Sequence, residues 1–301
     1  MKIFSAEDLA AISYADYIEA LRAAFRSDVS APQRFVANTS AATTLLVMPA
    51  WDGAFTGIKT VTVKGDNAAL GLPLVQASYL LIDNATGTPV AVMDGTELTR
   101  RRTAAASALA ADYLARKDAK TLLLVGAGAL APHFARAHAA VRPITRVLVY
   151  NRTGQKARDL AQEIGGEAVT DLAAAMAKAD IISGITSAQG PAIKGAWVKP
   201  GTHIDLVGAY KPDMRETDAA AVAMARVFVD TREGALHEAG DLLLAEKEGH
   251  FKWSDIQGDL FELTRGAKTG RETEAEVTLF KSSGTALEDL AAAAMVYLRQ
   301  G

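Results

Sequence analysis

The sequence contains one glycine-rich turn, Val125-Gly126-Ala127-Gly128-Ala129-Leu130-Ala131, which fits the pattern G-x-G-x-x-A. The turn directly follows the apolar segment 121–125 and opens a segment, 130–140, that reads as a helix. In that context Gly126 permits a tight turn, Gly128 lets a pyrophosphate approach the backbone, and Ala131 lets the helix pack closely on the strand. Free N–H groups at the helix start would bind the diphosphate, and Ala129 is assigned to the same site. The turn therefore predicts a dinucleotide-binding site rather than an ordinary strand-to-helix connection.

The chain around this turn alternates between apolar strands and helices. Strands are predicted at 121–125, 146–150, 167–170, 181–185, 203–207 and 227–230, and helices at 130–140, 155–164 and 172–178. Alternation of this kind predicts an α/β fold with a doubly wound parallel sheet of the Rossmann type.

The first hundred residues have a different pattern. Short β-branched segments at 43–48, 57–63, 78–83 and 89–93 are separated by turn residues, and 84–87 is typical of a hairpin loop. No helix of crossover length separates them, so an antiparallel or meandering sheet is expected. A long helix is predicted from about residue 99 to 116, and a terminal helix begins at 285.

Composition excludes several classes of protein. Of 301 residues, 50% are hydrophobic and 22% charged, which predicts a folded globular chain. With 32 Lys plus Arg against 35 Asp plus Glu, no basic excess indicates a nucleic-acid partner. Without cysteine, and with no metal-ligand spacing among the histidines, neither a thiol nucleophile nor a metal site is expected. The uncharged apolar segments are short and no secretory signal is recognised, so we expect a cytoplasmic protein without a membrane partner.

The second predicted strand of the parallel sheet ends at Tyr150 and is followed by Asn151-Arg152-Thr153. In an NAD site an acidic residue here would bind the ribose 2′-hydroxyl, and none is present. A guanidinium, an amide and a hydroxyl suit a 2′-phosphate. The sequence therefore favours NADP(H), with NAD(H) as the alternative and a solvated loop arginine as the competing interpretation of Arg152.

Two groups of cations stand out. Arg100-Arg101-Arg102 falls in the first turn of the predicted long helix, where positive charge opposes the helix dipole. At least one of the three is expected to face an anion, such as a ligand carboxylate or a cofactor phosphate, and two could point to solvent. Lys59 lies in the apolar segment 57–63, either as an edge residue facing water or as a ligand-binding cation. Arg34, in a loop, is unremarkable alone.

Several motifs occur together in a consistent order, and with them the sequence resembles the ornithine cyclodeaminase/μ-crystallin family over nearly its whole length. They are Gly57-Ile58-Lys59, Gly71-Leu72-Pro73, Thr86-Gly87-Thr88-Pro89, Leu98-Thr99, Arg102-Thr103-Ala104-Ala105, the Gly126 turn, Glu238-Ala239-Gly240-Asp241, Phe280-Lys281-Ser282-Ser283-Gly284 and Glu288-Asp289.

The resemblance implies a homodimer with two domains. A substrate-binding and dimerisation domain of the α+β class would occupy 1–116, completed by 285–301, and a Rossmann domain would occupy 117–284. Lys59 and Arg102 would be the catalytic pair that grips the substrate carboxylate, with Arg34 and Ser78 as further substrate contacts.

The resemblance also assigns the cofactor contacts. Asn151, Arg152 and Thr153 would hold the adenosine 2′-phosphate. Thr186, Ser187 and Ser282 would lie along the cofactor.

One departure from the family pattern bears on the activity. Ornithine cyclodeaminases are expected to carry an Asp in a Gly-x-Asp-x-Pro context, where this chain has Gly208-Ala209-Tyr210-Lys211-Pro212. Tyr210 cannot supply that negative charge at neutral pH. The segment 208–216 is instead similar to the branch of Δ1-pyrroline-2-carboxylate (ketimine) reductases.

The expected activity is therefore NAD(P)H-dependent reduction of a cyclic imino acid. It would convert Δ1-pyrroline-2-carboxylate to L-proline, with Δ1-piperideine-2-carboxylate to L-pipecolate as the six-membered counterpart. Ornithine cyclodeaminase or alanine dehydrogenase activity is the alternative. From another class, a non-catalytic NADPH-binding protein of the crystallin type stays open.

Overall fold

The computed structural model describes residues 1–300, without the side chain of Ala68. The strands are β1 (Lys2–Phe4), β2 (Phe35–Ser40), β3 (Thr43–Trp51), β4 (Phe55–Lys64), β5 (Val75–Asp83), β6 (Thr88–Asp94), β7 (Thr121–Val125), β8 (Arg146–Tyr150), β9 (Glu167–Ala168), β10 (Ile181–Gly184), β11 (His203–Leu206), β12 (Arg226–Val229), β13 (Ile256–Asp259) and β14 (Thr278–Lys281).

The α-helices are α1 (Ala6–Ala10), α2 (Tyr14–Arg26), α3 (Gly95–Leu114), α4 (Ala131–Val141), α5 (Gly154–Ile164), α6 (Leu172–Met176), α7 (Ala219–Met224), α8 (Arg232–Glu238), α9 (Gly240–Lys247), α10 (Leu260–Thr264) and α11 (Ala286–Gln300). Short 3₁₀ turns lie at Gly65–Leu70, Gly195–Trp197 and Trp253–Asp255.

The chain divides into two compact units. Among the described residues, unit 1 comprises 1–103 and 285–300, and unit 2 comprises 104–284. The sequence places this boundary after residue 116, whereas the structure divides the chain inside α3. The terminal segment belongs to the first unit.

Unit 1 contains a six-stranded sheet in the order β1-β6-β5-β4-β3-β2. Strands β2 to β6 form an antiparallel meander, as the sequence predicts, and β1 adds to β6 in parallel. The predicted hairpin loop lies between β5 and β6, where Gly87 adopts φ +68°. Helices α2 and α11 pack together, and α11 packs on β4 and β3. Helices α2 and α11 thereby cover one face of the sheet, and this packing positions the cations described below.

Helix α3 begins at Gly95, four residues earlier than predicted. The reason is a cap, because the Asp94 carboxylate accepts a hydrogen bond from the Glu97 N–H at 2.8 Å. The arginines at 100–102 consequently lie beyond the first turn. The argument that they oppose the helix dipole was therefore wrong, since that effect is confined to the terminal turn.

Unit 2 contains an eight-stranded sheet in the order β13-β12-β14-β11-β10-β7-β8-β9, in which every pairing is parallel. The chain runs outward from β7 through β8 to β9, then crosses back to β10 and continues in the opposite direction. The predicted doubly wound Rossmann-type sheet is confirmed. In such a sheet the ligand crevice lies at the carboxyl ends of the two strands where the direction reverses, here β7 and β10.

Among residues 1–300, no helix combines the length and the apolar character needed to cross a bilayer.

Candidate functional site

A pocket of about 640 Å³ lies in unit 2 at the carboxyl ends of β7, β8 and β10. Its position is the crevice that the strand order predicts. Five residues assigned to the cofactor from the sequence line it together, namely Gly126, Asn151, Arg152, Thr186 and Ser187. Val125, Tyr150 and the segment 188–190 complete most of its wall.

The two glycines of the turn are required for different reasons. Gly126 adopts φ +120°, and a Cβ there would lie 2.8 Å from the Ile185 carbonyl oxygen. Gly126 is therefore needed by the fold itself. Gly128 has an ordinary φ, and no protein atom lies within 4 Å of a Cβ built on it. That space is open to a ligand, as close approach of a pyrophosphate requires.

The three residues that follow β8, at 151–153, have different positions and contacts. The Asn151 side-chain oxygen accepts a hydrogen bond from the Ala127 N–H at 3.3 Å, and its amide donates to the Thr153 carbonyl at 3.1 Å. Asn151 thus braces the glycine turn, a role that the sequence did not indicate. Arg152 is exposed and lines the pocket, whereas Thr153 precedes α5 and is not among the lining residues. Of the three residues assigned to a 2′-phosphate, Asn151 and Arg152 line the pocket and Thr153 does not.

The remaining cofactor assignments have mixed outcomes. Ala131 is fully buried as the first residue of α4, which fits its predicted packing role, and Ala129 is exposed in the turn before it. Ser282 is 2% exposed, and its hydroxyl donates to Asp230 at 3.2 Å. Ser282 is not among the residues that line the pocket, and its place along the cofactor stays a prediction.

The pocket fits a dinucleotide. Gly126 and the Arg152 guanidinium at the end of β8 line it. Farther along the same glycine turn the space beside Gly128 is open, and a helix begins where the turn ends. Backbone N–H groups at such a helix start, together with its dipole, favour a diphosphate.

Lys59 lies on β4, a central strand of the unit 1 sheet. The interpretation of Lys59 as an edge residue facing water was therefore wrong. Its side chain is 1% exposed and lies on the same buried face of the strand as Phe55, Gly57 and Val61. The Nζ atom lies 2.6 Å from the Asp289 carboxylate. A buried ammonium of this kind is retained only where anions compensate it.

Arg102 shares the same carboxylates. Its Nη1 donates to Glu288 at 2.6 Å and its Nε to Asp289 at 2.8 Å. Glu288 and Asp289, in the first turn of α11, are both fully buried. The sequence motifs included this acidic pair but assigned it no role, because nothing local to α11 shows that it meets Lys59 and Arg102.

The pKa of Lys59 lies below that of an ordinary lysine. Burial, the largest effect, and Arg102 lower this pKa to about 8 against the opposing effect of Asp289. Arg34 also lies near enough to lower this pKa. A carboxylate arriving beside Lys59 would stabilise the ammonium form. The arrangement is suited to binding a small anionic group.

The strand register contradicts one other expectation in unit 1. Ser78 pairs with Thr60 on β4, so the alternation along the strand directs it to the sheet face opposite Lys59. It cannot share a carboxylate with Lys59. Of the neighbouring arginines, Arg101 is buried like Arg102 and does not point to solvent. It donates to Glu97 at 2.8 Å and to the Ile12 carbonyl at 2.8 Å, which is a structural role.

A cluster of buried polar side chains also lies in unit 2. The Asp205 carboxylate accepts from Ser107 at 2.8 Å and from Ser183 at 2.9 Å, and it lies 3.3 Å from His138 Nε2. All four side chains are fully buried. They connect helices α3 and α4 to the sheet, so a Ser-His-Asp set that could suggest hydrolysis is a packing element here.

The chain matches the model of the ornithine cyclodeaminase/mu-crystallin family over residues 5–300, and the family resemblance seen in the motifs is confirmed. It is 45% identical over 260 residues to the Δ1-pyrroline-2-carboxylate reductase of Paracoccus denitrificans, covering 84% of this chain and 82% of that enzyme.

Two solved structures agree with the whole chain. One is the Thermococcus litoralis Δ1-pyrroline-2-carboxylate reductase in complex with NADH and L-proline, with a TM-score of 0.93 and 37% identity over 99% of this chain and 97% of that one. The other is an archaeal alanine dehydrogenase dimer with bound NAD, with a TM-score of 0.92 and 32% identity over 99% and 95% of the two chains.

Proposed function

Because the chain belongs to the ornithine cyclodeaminase/mu-crystallin family, we propose that it is an NAD(P)H-dependent reductase of cyclic imino acids. The substrate class is Δ1-pyrroline-2-carboxylate, reduced to L-proline, with the six-membered Δ1-piperideine-2-carboxylate as the second candidate. The relatives named for this reaction and the neighbour carrying NADH and L-proline support the proposal.

The substrate carboxylate is bound by Lys59 and Arg102, with Arg34 as a third cation. Arg102 is fixed by two carboxylates, so its guanidinium is held in one orientation rather than sampling many. Lys59, whose pKa is about 8, stays mostly protonated at neutral pH and gains stabilisation from the incoming anion. These groups orient the C=N bond by holding the carboxylate next to it.

When bound at the glycine turn, the reduced nicotinamide cofactor supplies a hydride to the imine carbon. In the iminium form the substrate nitrogen already carries its proton. As hydride forms the new C–H bond, the π electrons of the substrate's C=N bond become the nitrogen lone pair of a neutral amine. The chain's residues therefore need to bind and orient, and no dedicated strong acid is required.

The observation that carries the proposal is the buried cation pair of Lys59 and Arg102 in a chain whose other unit has a dinucleotide pocket. The test is to follow oxidation of NADPH and NADH with imines of both ring sizes. Turnover with Δ1-pyrroline-2-carboxylate is expected. Ammonia release from ornithine, NAD(P)H formation from alanine, or tight NADPH binding without turnover on any imine would each favour one of the alternatives.

We further propose that NADP(H) is preferred over NAD(H), since Arg152 lines the pocket after β8 and no acid stands at Asn151-Arg152-Thr153. Arg152→Ala is expected to weaken NADPH binding by about tenfold or more, the usual cost of one charge-assisted contact, and to change NADH binding little. Fluorescence titration of both nucleotides measures the difference. Arg158→Ala, on the exposed face of α5, is the matched control. An equal loss for both nucleotides would contradict the 2′-phosphate assignment.

A homodimer is the assembly that we propose, supported by the dimeric alanine dehydrogenase neighbour and by exposed apolar residues of unit 1. Phe35 and Val36 on the edge strand β2 are 60% and 54% exposed. Light scattering is expected to give twice the chain mass, and Phe35→Lys with Val36→Lys is expected to give the monomer. Ile3→Lys, on the opposite edge strand, should remain dimeric. A monomeric unmodified protein would refute this assembly.

A further inference from the structure

Glu216 occupies a position in unit 2 that the sequence did not single out. It lies between β11 and α7 and is 1% exposed. One carboxylate oxygen accepts the Thr186 N–H at 2.6 Å, and the other accepts the N–H groups of Val207 at 3.1 Å and Gly208 at 2.6 Å. A single buried carboxylate thus holds the backbone that follows both β10 and β11.

This backbone is a wall of the dinucleotide pocket. Thr186 lines the pocket, and a Cβ added to Gly126 would lie 2.8 Å from the Ile185 oxygen and 3.1 Å from Thr186 Cγ2. The segment that Glu216 holds is therefore packed directly against the phosphate-binding turn. A shift of Thr186 would be transmitted to the turn by contact.

Two glycines line the space that this carboxylate occupies. A Cβ on Gly184 would lie 3.1 Å from the Glu216 carboxylate. A Cβ on Gly208 would lie 1.9 Å from the Thr186 carbonyl oxygen and 2.6 Å from the Glu216 carboxylate, so Gly208 makes room for the Thr186 backbone and for the carboxylate that holds it. The approach of Glu216 to the two strand ends is consequently a built feature of the loops.

The charges that face Glu216 come from two further elements. Asp241, at the start of α9, accepts the Glu216 N–H at 2.7 Å, and Lys281 at the end of β14 lies 3.0 Å from Asp241. Burial, the largest effect, and Asp241 raise the pKa of Glu216, Lys281 and the backbone N–H groups oppose the rise, and the pKa lies at about 7. Its neighbour in sequence, Arg215, pairs with Glu248 instead.

We propose that Glu216 is a positioning residue for the dinucleotide, which holds Thr186 and the Gly126 turn in the binding arrangement only while its carboxyl group is ionised. This inference rests on the proposed function, because it presupposes that the pocket takes a dinucleotide. Ionised, Glu216 accepts all three backbone N–H groups. Protonated, it carries an O–H donor and is a weaker acceptor, so the loops after β10 and β11 lose part of their support.

The direction of the effect follows from linkage. Affinity for the dinucleotide should fall as the pH drops through the Glu216 pKa of about 7. Reciprocally, bound dinucleotide should lower that pKa. NAD⁺ is the appropriate probe, because it has no 2′-phosphate and its diphosphate does not titrate near neutral pH.

The experiment is a calorimetric titration of NAD⁺ over a pH range that brackets neutrality. For the unmodified protein, Kd is expected to be about tenfold higher at the acidic end, the size of effect that losing charge-assisted hydrogen bonds has. Glu216→Gln is expected to bind about as weakly at every pH as the unmodified protein binds at the acidic end. Asp180→Asn is the matched control. Asp180 also accepts two backbone N–H groups, from Lys120 and Thr121, but it does so at the amino end of β7, away from the pocket. This variant should keep the pH dependence.

A Glu216→Gln protein with unmodified affinity and pH dependence would overturn the inference. So would a flat profile for the unmodified protein, which decides the matter even where Glu216→Gln fails to fold. Either result leaves the proposed function standing if NAD⁺ binds. Failure of the unmodified protein to bind NAD⁺ or NADP⁺ at any pH would overturn both.

Discussion

Replacing Arg102 with methionine is expected to lower kcat/KM for the cyclic imine by about a hundredfold or more and to lower the free energy of unfolding by about 3–5 kcal/mol. The kinetic loss follows from removing a charged contact to the substrate carboxylate. The stability loss follows from leaving Glu288 and Asp289, both fully buried, with Lys59 as the remaining close cation.

A compensating substitution separates the two effects. Arg102→Met combined with Glu288→Gln leaves Lys59 opposite Asp289, so the buried charges balance again and most of the lost stability should return. The kinetic loss should persist, since the guanidinium is still missing. Urea denaturation and steady-state assays on both variants make the comparison.

Arg101→Met is the matched control for this series. Arg101 is as buried as Arg102, and its hydrogen bonds go to Glu97 and to carbonyls of the N-terminal segment. It should lose stability while kcat/KM of the folded fraction stays near that of the unmodified enzyme. If Arg101→Met and Arg102→Met lost the same activity per folded molecule, the assignment of Arg102 to the carboxylate would be wrong.

The second large effect is expected at the glycine turn. Gly128→Val should fold like the unmodified protein, because no protein atom lies within 4 Å of the added Cβ and φ is ordinary. Dinucleotide binding should weaken by about tenfold to a hundredfold, the cost of 1–3 kcal/mol that overpacking brings. Calorimetric titration and thermal denaturation measure the two quantities separately.

Gly126→Val provides the contrast. Its φ of +120° and the 2.8 Å approach of the Ile185 oxygen to an added Cβ predict a loss of stability in unit 2 as well as a loss of binding. Unaltered nucleotide affinity in Gly128→Val would show that the diphosphate does not lie against this turn.

Local patterns sufficed for the architecture. The glycine turn and the alternation after residue 120 predicted the doubly wound sheet, because each signal is contained within a few neighbouring residues. Strands β13 and β14 were not predicted, although they complete that sheet. The predicted start of α3 is four residues too late. The sequence Asp94-Gly95-Thr96-Glu97, in which Asp94 caps the helix, is itself a local signal for the observed start.

The site was harder to predict because its partners are distant in sequence. The sequence alone is compatible with Lys59 as an edge residue, because its ion-pair partner Asp289 lies far along the chain and the environment of a buried charge depends on tertiary packing. The predicted role of Ser78 in the substrate site was wrong for a similar reason, since the strand register decides on which face of the sheet a side chain lies. Glu216 had no local signal except the glycines at 184 and 208 that accommodate its carboxylate.

The proposed reaction transfers hydride from the dinucleotide to the carbon next to a carboxylate held by Lys59 and Arg102. The decisive measurement is turnover of Δ1-pyrroline-2-carboxylate with NADPH carrying deuterium at both C4 positions, followed by mass spectrometry of the product. Proline with one deuterium on its α-carbon is expected, and Arg102→Met should lose that product. Cofactor oxidation that yields proline without deuterium, or binding of cofactor and imine without any proline, would contradict it.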